Sequence, residues 1–221
     1  MKALILVNGE LYRPDVLRRR IQADKFDMVI AADAGADYAA ELGVLLDAII
    51  GDMDSLACRE KYCNGSTEII TYPAEKDETD LELAVLYAVK KKADDIVLVG
   101  AIGGRMDMTL ANMMLLAHPF SAARLEIWHG EQTCRLIRPP GADIRGQAGD
   151  LISLMPVGGD ARGVVTEGLK HPLHNENLSF SLTRGVSNVM QGALARVSLA
   201  DGLLLLVHTD SGLSWEKGGE M

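Results

Sequence analysis

The chain has 221 residues, of which 48% are hydrophobic and 24% charged, and its formal net charge is -9. This composition is typical of a folded globular protein and argues against intrinsic disorder. Proteins that bind nucleic acid usually carry a basic face to offset the phosphates, so the acidic balance argues against DNA or RNA as a partner.

The sequence also argues against secretion and membrane insertion. No apolar run approaches the roughly 18 to 20 residues of a membrane-spanning helix, and the apolar run Ala3–Val7 is too short for a signal-peptide core. Three cysteines, at positions 58, 63 and 134, do not suggest a disulfide framework. We therefore predict a cytoplasmic protein that does not contact a membrane.

The first 130 residues alternate short apolar runs with longer helical patterns, which is typical of a parallel sheet flanked by helices. The predicted strands are Lys2–Val7, Met28–Ala32, Ala48–Ile50, Glu68–Thr71, Ile96–Val99 and Leu125–Trp128. The predicted helices are Pro14–Ala23, Ala36–Leu42, Thr79–Lys92 and Asp107–Ala117. Thr79 and Glu82 are predicted to form a capping box.

After Pro139-Pro140-Gly141 the pattern changes to short, glycine-rich strands without a long helix, which predicts a second, all-β domain built as a small sandwich or open barrel. The predicted strands are Leu151–Leu154, Gly163–Thr166, Leu178–Leu182, Leu194–Leu199 and Leu203–Val207. Asp201-Gly202, between the last two, predicts a hairpin.

Acidic residues and glycines follow four of the predicted strands. The four segments are Asp33-Ala34-Gly35, Gly51-Asp52-Met53-Asp54-Ser55, Lys76-Asp77-Glu78-Thr79-Asp80 and Gly100-Ala101-Ile102-Gly103-Gly104-Arg105-Met106-Asp107. In an open α/β sheet, ligands bind beyond the carboxyl ends of the strands, so these segments are predicted to meet at one site. Each alone is compatible with an ordinary turn or helix cap. Their joint occurrence favours a function.

The charges in these segments predict a divalent cation. Residues 1–130 carry 21 Asp and Glu against 14 Lys and Arg, and within the four segments only Lys76 and Arg105 offset six aspartates. Two carboxylates about 4 Å apart repel by roughly 4 kcal/mol at a dielectric constant of about 20. Oxygen ligands that bridge to phosphate favour Mg²⁺. Gly103-Gly104 leaves room for a phosphate near a helix start, and Arg105 offers it charged donors.

Several other enzyme classes are not supported. The sequence has no Walker motif, no Gly-x-Gly-x-x-Gly after the first strand and no Gly-x-Ser-x-Gly elbow.

The ordered acidic and glycine motifs resemble those of the thiamine pyrophosphokinase family. The likeness continues past the first domain in Ser153-Leu154-Met155-Pro156, Thr166-Glu167-Gly168-Leu169-Lys170 and Gly185-Val186-Ser187-Asn188. Two positions depart from the family pattern. Ala34 stands where a second glycine is usual, and Met108 stands where a histidine is usual.

The resemblance implies a fold, a reaction and an assembly. It implies an α/β ATP-binding catalytic domain over residues 1–130, with a mostly parallel sheet flanked by helices, and a smaller β-sandwich thiamine-binding domain over residues 131–221. The reaction is transfer of pyrophosphate from ATP to the thiamine hydroxyl, which gives thiamine diphosphate and AMP. The assembly is a homodimer with active sites between the subunits.

The resemblance also implies roles for individual residues. By this resemblance, the catalytic and metal-binding residues are Asp52, Asp54, Asp77 and Asp80. The ATP contacts look like Asp33, Gly35, Gly103, Gly104, Arg105 and Asp107, the last of which would orient Arg105. Ser187 and Asn188 resemble the part that holds thiamine.

Two alternatives remain open at this point. One is a pyrophosphokinase that acts on a pterin alcohol, against which the Gly185–Asn188 stretch argues. The other is a catalytically silent nucleotide sensor, suggested by Ala34 and Met108. Production of AMP distinguishes an enzyme from a sensor.

Overall fold

The computed structural model describes residues 1–52, 66–118 and 123–213. The chain forms two compact units, Met1–Gly130 and Glu131–Met221. Asp54, Cys58 and Cys63 lie outside the described residues, as does the tail from Ser214 onward.

The described part of the first unit contains a parallel sheet. Its strands are β1 (Lys2–Leu6), β2 (Met28–Ala32), β3 (Ala48–Gly51), β4 (Glu68–Thr71), β5 (Asp95–Val99) and β6 (Arg124–His129). Their spatial order is β6-β5-β1-β2-β3-β4, and every neighbouring pair is parallel. Because the strand order reverses at β1, a crevice opens beyond its carboxyl end.

Four α-helices and one 3-10 helix accompany these strands in the described residues. They are α1 (Pro14–Ala23), the 3-10 helix Asp33–Asp37, α2 (Tyr38–Leu42), α3 (Asp80–Lys90) and α4 (Met106–Leu115). Pro14 starts α1 because a proline at the first helical position sacrifices no hydrogen bond. Thr79 caps α3 by accepting a 3.2 Å hydrogen bond from the backbone N–H of Glu82.

The core of the first unit lies against β1. Leu4 and Leu6 pack there with Leu17 and Ile21 of α1 and with Leu42 of α2. Residues Ala3–Leu6 are completely buried, as expected for a central parallel strand that is covered on both faces. This burial fixes the position of the loop that follows β1.

The second unit is a sandwich of antiparallel strands. Its strands are β7 (Gln132–Ile137), β8 (Gly141–Arg145), β9 (Leu151–Pro156), β10 (Ala161–Glu167), β11 (His174–Leu178), β12 (Asn188–Val189), β13 (Leu194–Ser198) and β14 (Leu204–Thr209). One layer has the order β12-β9-β14-β7 and the other β11-β10-β13-β8. Alternate residues of both layers form one core, including Ile152, Leu154, Val164, Val197 and Leu206. The predicted fold class is confirmed.

The predicted hairpin at Asp201-Gly202 is wrong. β13 pairs with β8 and β10, whereas β14 pairs with β7 and β9, so the two strands belong to different layers. The turn carries the chain across the core, into which β13 directs Val197 and β14 directs Leu204. Alternating burial on two strands joined by Asp-Gly is equally compatible with a hairpin and with a crossing between layers.

Other element predictions also need correction. The strand predicted at Leu178–Leu182 ends at Leu178 and begins at His174, because Phe180 and Leu182 are exposed in the turn that follows. The helix predicted from Ala36 begins at Tyr38, after the 3-10 helix. The strands β7, β8 and β12 were not predicted, since their sequences mix polar and apolar residues.

Candidate active site

A cavity of about 500 Å³ lies in the first unit beyond the carboxyl ends of the parallel strands. The segments after β1, β2, β3, β4 and β5 all contribute to its wall. The polar and charged lining residues are Asn8, Asp33, Asp52, Lys76, Glu78, Thr79, Asp80, Arg105 and Asn112, and Gly103 and Gly104 also line it. The structure thus brings together segments that are distant in the sequence.

Asp33 and Asp52 lie on this wall directly after β2 and β3. Asp33 is 9% exposed and has a φ of 45°, which is uncommon for a residue other than glycine. Gly51 leaves room for it, because a Cβ at position 51 would lie 3.0 Å from the Cβ of Asp33. Such backbone strain concentrates at functional sites.

The segment before α3 contributes a cation and an acid that contact each other. The ammonium of Lys76 lies 2.7 Å from Oδ1 of Asp80, and both side chains line the cavity. Glu78 also lines the cavity and Asp77 does not, although both residues are exposed. Glu78 thus contributes to the wall in this segment, and the role predicted for Asp77 stays a prediction.

The glycine segment before α4 is held by two side chains of that helix. The N–H of Gly103 donates a 3.0 Å hydrogen bond to the hydroxyl of Thr109, and the buried amide of Asn112 donates to the carbonyl of Ala101 at 2.8 Å. Gly103 has a φ of 93°. In this arrangement the Gly103 N–H is already used, so the backbone of the segment is not simply open to a phosphate.

Arg105 and Asp107 form a bidentate pair at the rim. Nε and Nη2 of Arg105 lie 3.1 and 2.6 Å from the two carboxylate oxygens of Asp107. Asp107 does not line the cavity. The hydrogen bond from Arg105, with one from the Met108 N–H, lowers the pKa of Asp107 below its ordinary value. The geometry agrees with a role for Asp107 in orienting Arg105.

Gly35 is buried because it packs closely against β1. A Cβ at this position would collide with the carbonyl oxygen of Leu6 in β1, so the residue allows the 3-10 helix to pack on the sheet. Gly35 does not line the cavity. Its neighbour Ala34 has no positive φ, so the alanine that departs from the family pattern fits its backbone without strain.

The described residues do not by themselves assemble the predicted metal group. In residues 1–52, 66–118 and 123–213, no three His, Cys, Asp or Glu side chains lie close enough together to hold a metal ion. Asp52 and Asp80 line the cavity, Asp77 is outside its wall, and Asp54 falls outside the described residues.

Asn8 and Glu78 line the cavity but were not predicted from the sequence. The signal for Asn8 was available, because Asn8-Gly9 directly follows the central strand at the switch point. Glu78 had no signal that distinguished it from Asp77, since a turn decides which of two adjacent acids faces inward.

The predicted thiamine residues lie in the second unit. Ser187 has a φ of 60°, and its N–H donates to the hydroxyl of Ser153 at 3.1 Å. The amide of Asn188 donates to the carbonyl of His171 at 2.7 Å and accepts from its N–H at 3.0 Å. Asn188 thus holds the segment in place, and it borders a small cavity of about 90 Å³ with His171 and Arg184.

A search for membrane spans found no helix of sufficient length and apolar character among the residues that the structure describes.

Comparison with known proteins identifies both units. The family described as "Thiamin pyrophosphokinase, catalytic domain" matches residues 21–129, and "Thiamin pyrophosphokinase, vitamin B1 binding domain" matches residues 142–204. The first range contains the predicted acids and the glycine segment, and the second contains Ser187 and Asn188.

Individual relatives agree. The chain is 27% identical over 190 residues to the thiamine pyrophosphokinase of Bacillus subtilis, with 84% of this chain and 89% of the relative covered. A crystal structure of thiamin pyrophosphokinase from Geobacillus thermodenitrificans has a TM-score of 0.82 at 26% identity, covering 97% of this chain and 100% of that one. The Bacillus subtilis crystal structure has a TM-score of 0.84 at 24% identity, covering 96% and 100%.

These matches favour the thiamine pyrophosphokinase prediction over the pterin-alcohol and sensor alternatives. The chain belongs to the thiamine pyrophosphokinase family of diphosphotransferases, as its motifs predicted.

Proposed function

We propose that this chain transfers the pyrophosphoryl group of ATP to the hydroxyl of thiamine. The observation that carries this proposal is the cavity at the carboxyl edge of the parallel sheet, which Asp33, Asp52 and Asp80 line together with Lys76 and Arg105. Acids and cations together suit a phosphate-transfer site, because catalysis of that reaction depends mainly on positioning and electrostatics.

In the proposed reaction, the thiamine hydroxyl oxygen attacks the β-phosphorus of ATP. The bond between that phosphorus and the oxygen it shares with the α-phosphate breaks, and AMP leaves with the electron pair. The hydroxyl proton passes to a carboxylate of the acidic group. We propose Asp52 as the acceptor, because it lies on the cavity wall.

The carboxylates suit Mg²⁺ as donors. Asp52, Asp54, Asp77 and Asp80 are the residues that would hold it, and hard oxygen donors of this kind are those that Mg²⁺ prefers. When bound, the ion supplies positive charge that offsets the negative charge of the transferred group.

We assign ATP binding to Asp33, Gly35, Gly103, Gly104, Arg105 and Asp107, of which Gly35 and Asp107 act indirectly. Gly35 contributes through packing against β1, and Asp107 through its hold on Arg105. Asp33 and Gly103 line the cavity directly. The first unit is accordingly proposed as the ATP-binding catalytic domain.

We assign thiamine recognition to Ser187 and Asn188, and hence to the second unit. The two hydrogen bonds between Asn188 and the backbone of His171 keep this segment rigid.

We further propose that the chain forms a homodimer with active sites between subunits, and light scattering on the purified chain tests whether it is a dimer. We also propose a cytoplasmic location, which cell fractionation tests.

The decisive experiment incubates the chain with ATP, Mg²⁺ and a panel of alcohols that includes thiamine and a pterin alcohol. We expect AMP and thiamine diphosphate in equal amounts, and neither product with the pterin alcohol. Consumption of the pterin alcohol instead would support the alternative kinase. Binding of ATP without AMP formation would support the sensor.

A further inference from the structure

Lys76 is a sheltered cation on the wall of the cavity. Its side chain is 12% exposed, and its ammonium contacts Asp80, the first residue of α3, which is 27% exposed. Removing an ammonium from water is unfavourable unless it is paired, so Asp80 provides the charge that keeps Lys76 at this position.

The other cation that lines the described part of the cavity is held differently. Arg105 is 74% exposed and its guanidinium is engaged at two points by Asp107. Arg105 therefore sits at the solvent rim, where side chains reorient easily, whereas Lys76 has little freedom to leave the wall.

Lys76 retains donors for a ligand. An ammonium has three N–H donors, and the hydrogen bond to Oδ1 of Asp80 uses one of them. The remaining donors suit phosphate oxygens, for which lysine acts as a compact point charge. The acids of the wall make such a fixed cation necessary, because a polyphosphate entering the cavity adds further negative charge.

We infer that Lys76 binds the β- and γ-phosphates of the nucleotide and that Asp80 is its positioning residue. The inference rests on the proposed function. It gives Asp80 a role that is exerted through Lys76, in addition to its place in the metal-holding group proposed above. AMP, which lacks these phosphates, serves as a ligand that does not need Lys76.

Calorimetric titration of the full chain with ATP and with AMP tests the inference, in Mg²⁺ and again in EDTA. We expect Lys76→Met to weaken ATP binding about tenfold or more, as the loss of a charged hydrogen bond does, and to change AMP binding less than twofold. Lys76→Arg should recover part of the ATP affinity. Lys90→Met is the matched control and should bind ATP like the wild type, because Lys90 is an exposed lysine at the far end of α3, the helix that begins at Asp80.

A double-mutant cycle tests the role of Asp80. The cycle is measured in EDTA, so that binding of a metal ion by Asp80 does not contribute. If Asp80 positions Lys76, Asp80→Asn weakens ATP binding in the wild-type background and has no further effect in the Lys76→Met background. The double variant also removes the unpaired carboxylate that could destabilise Lys76→Met. An additional loss of more than about threefold in the double variant would overturn the positioning role.

The result separates this inference from the proposed function. If the wild type makes thiamine diphosphate but Lys76→Met binds ATP within twofold of it, only the inference fails. If ATP binding falls as expected but no alcohol is consumed, the inference stands and the proposed function fails. A wild-type chain that binds no ATP under either condition overturns both.

Discussion

The two units use aspartate in opposite ways. In the first unit, Asp33, Asp52 and Asp80 line a cavity where a ligand can reach them. In the second unit, Asp150 is completely buried and accepts hydrogen bonds from the Gln147 N–H, the Ser211 N–H and hydroxyl, and His208 Nε2, all between 2.8 and 3.0 Å. A carboxylate at a strand end is therefore functional or structural according to where its hydrogen bonds go.

The largest expected effect is on catalysis by the first unit. Asp52→Asn should lower kcat/KM for AMP release at least about 100-fold, because it removes a charge from the wall where the transferred group is stabilised. The melting temperature should stay within about 2 °C of the wild type.

Steady-state kinetics and thermal denaturation measure these two quantities. Asp15→Asn, on the exposed face of α1, is the matched control and should retain full activity. Wild-type AMP release by Asp52→Asn would remove Asp52 from the mechanism.

Asp54→Asn is measured in the same two assays, and we expect it to abolish turnover while leaving the fold intact.

The second expected effect is on stability of the second unit. Asp150→Asn should lower the free energy of unfolding by about 3 kcal/mol, because an amide NH₂ then faces donors that need an acceptor. Urea denaturation measures the loss. Asp143→Asn breaks the exposed pair with Arg196 and should lower the free energy of unfolding far less, because water screens an exposed ion pair. Equal losses in the two variants would contradict the distinction between the two units.

The same carboxylate predicts a pH dependence. Burial raises the pKa of Asp150, but hydrogen bonds from the Ser211 N–H, His208 and the Gln147 N–H outweigh it, so the pKa lies below its ordinary value. The unfolded chain has an Asp pKa of about 3.9. The stabilisation is therefore complete above that pH and is lost as the pH falls through the folded pKa. The melting temperatures of wild type and Asp150→Asn should differ most above about pH 5, and the difference should shrink as the pH falls below about 4. A difference that stays constant down to about pH 3 would refute the assignment.

A smaller effect is expected at the rim of the cavity. Asp107→Asn should raise KM for ATP up to about fivefold, because Arg105 loses its bidentate partner. The effect is modest because water screens an exposed ion pair. Initial-rate kinetics measure it. A loss comparable with that of Asp52→Asn would mean that Asp107 itself contacts the substrate.

The smallest expected effect concerns the departure at Ala34. Because Ala34 has an ordinary backbone conformation, Ala34→Gly should not improve activity and should lower stability by about 0.5 to 1 kcal/mol through added freedom of the unfolded chain. A gain in kcat would show that the glycine of the family has a role in turnover.

Sequence reasoning was most successful where local chemistry determines the structure. The bounds of α1 were predicted because Pro14 fixes its start, and the acids after β2 and β3 follow from the rule that sites lie beyond strand ends. It failed where distant residues decide. The partners of β14 are set by packing across the core, which no local pattern records. Which of the adjacent acids Asp77 and Glu78 lines the cavity depends on the turn that precedes α3, and the role predicted for Asp77 stays a prediction.

The crossing at Asp201-Gly202 also determines when the second unit can fold during synthesis. β14 pairs with β7 in a register that joins Thr209 to Gln132, so the strand that completes this layer is the last of the described strands to be made. The sandwich depends on contacts between residues far apart in the chain, which form slowly. The first unit, whose described strands end at His129, can fold while the ribosome is still adding its neighbour, as domains generally fold in order of synthesis.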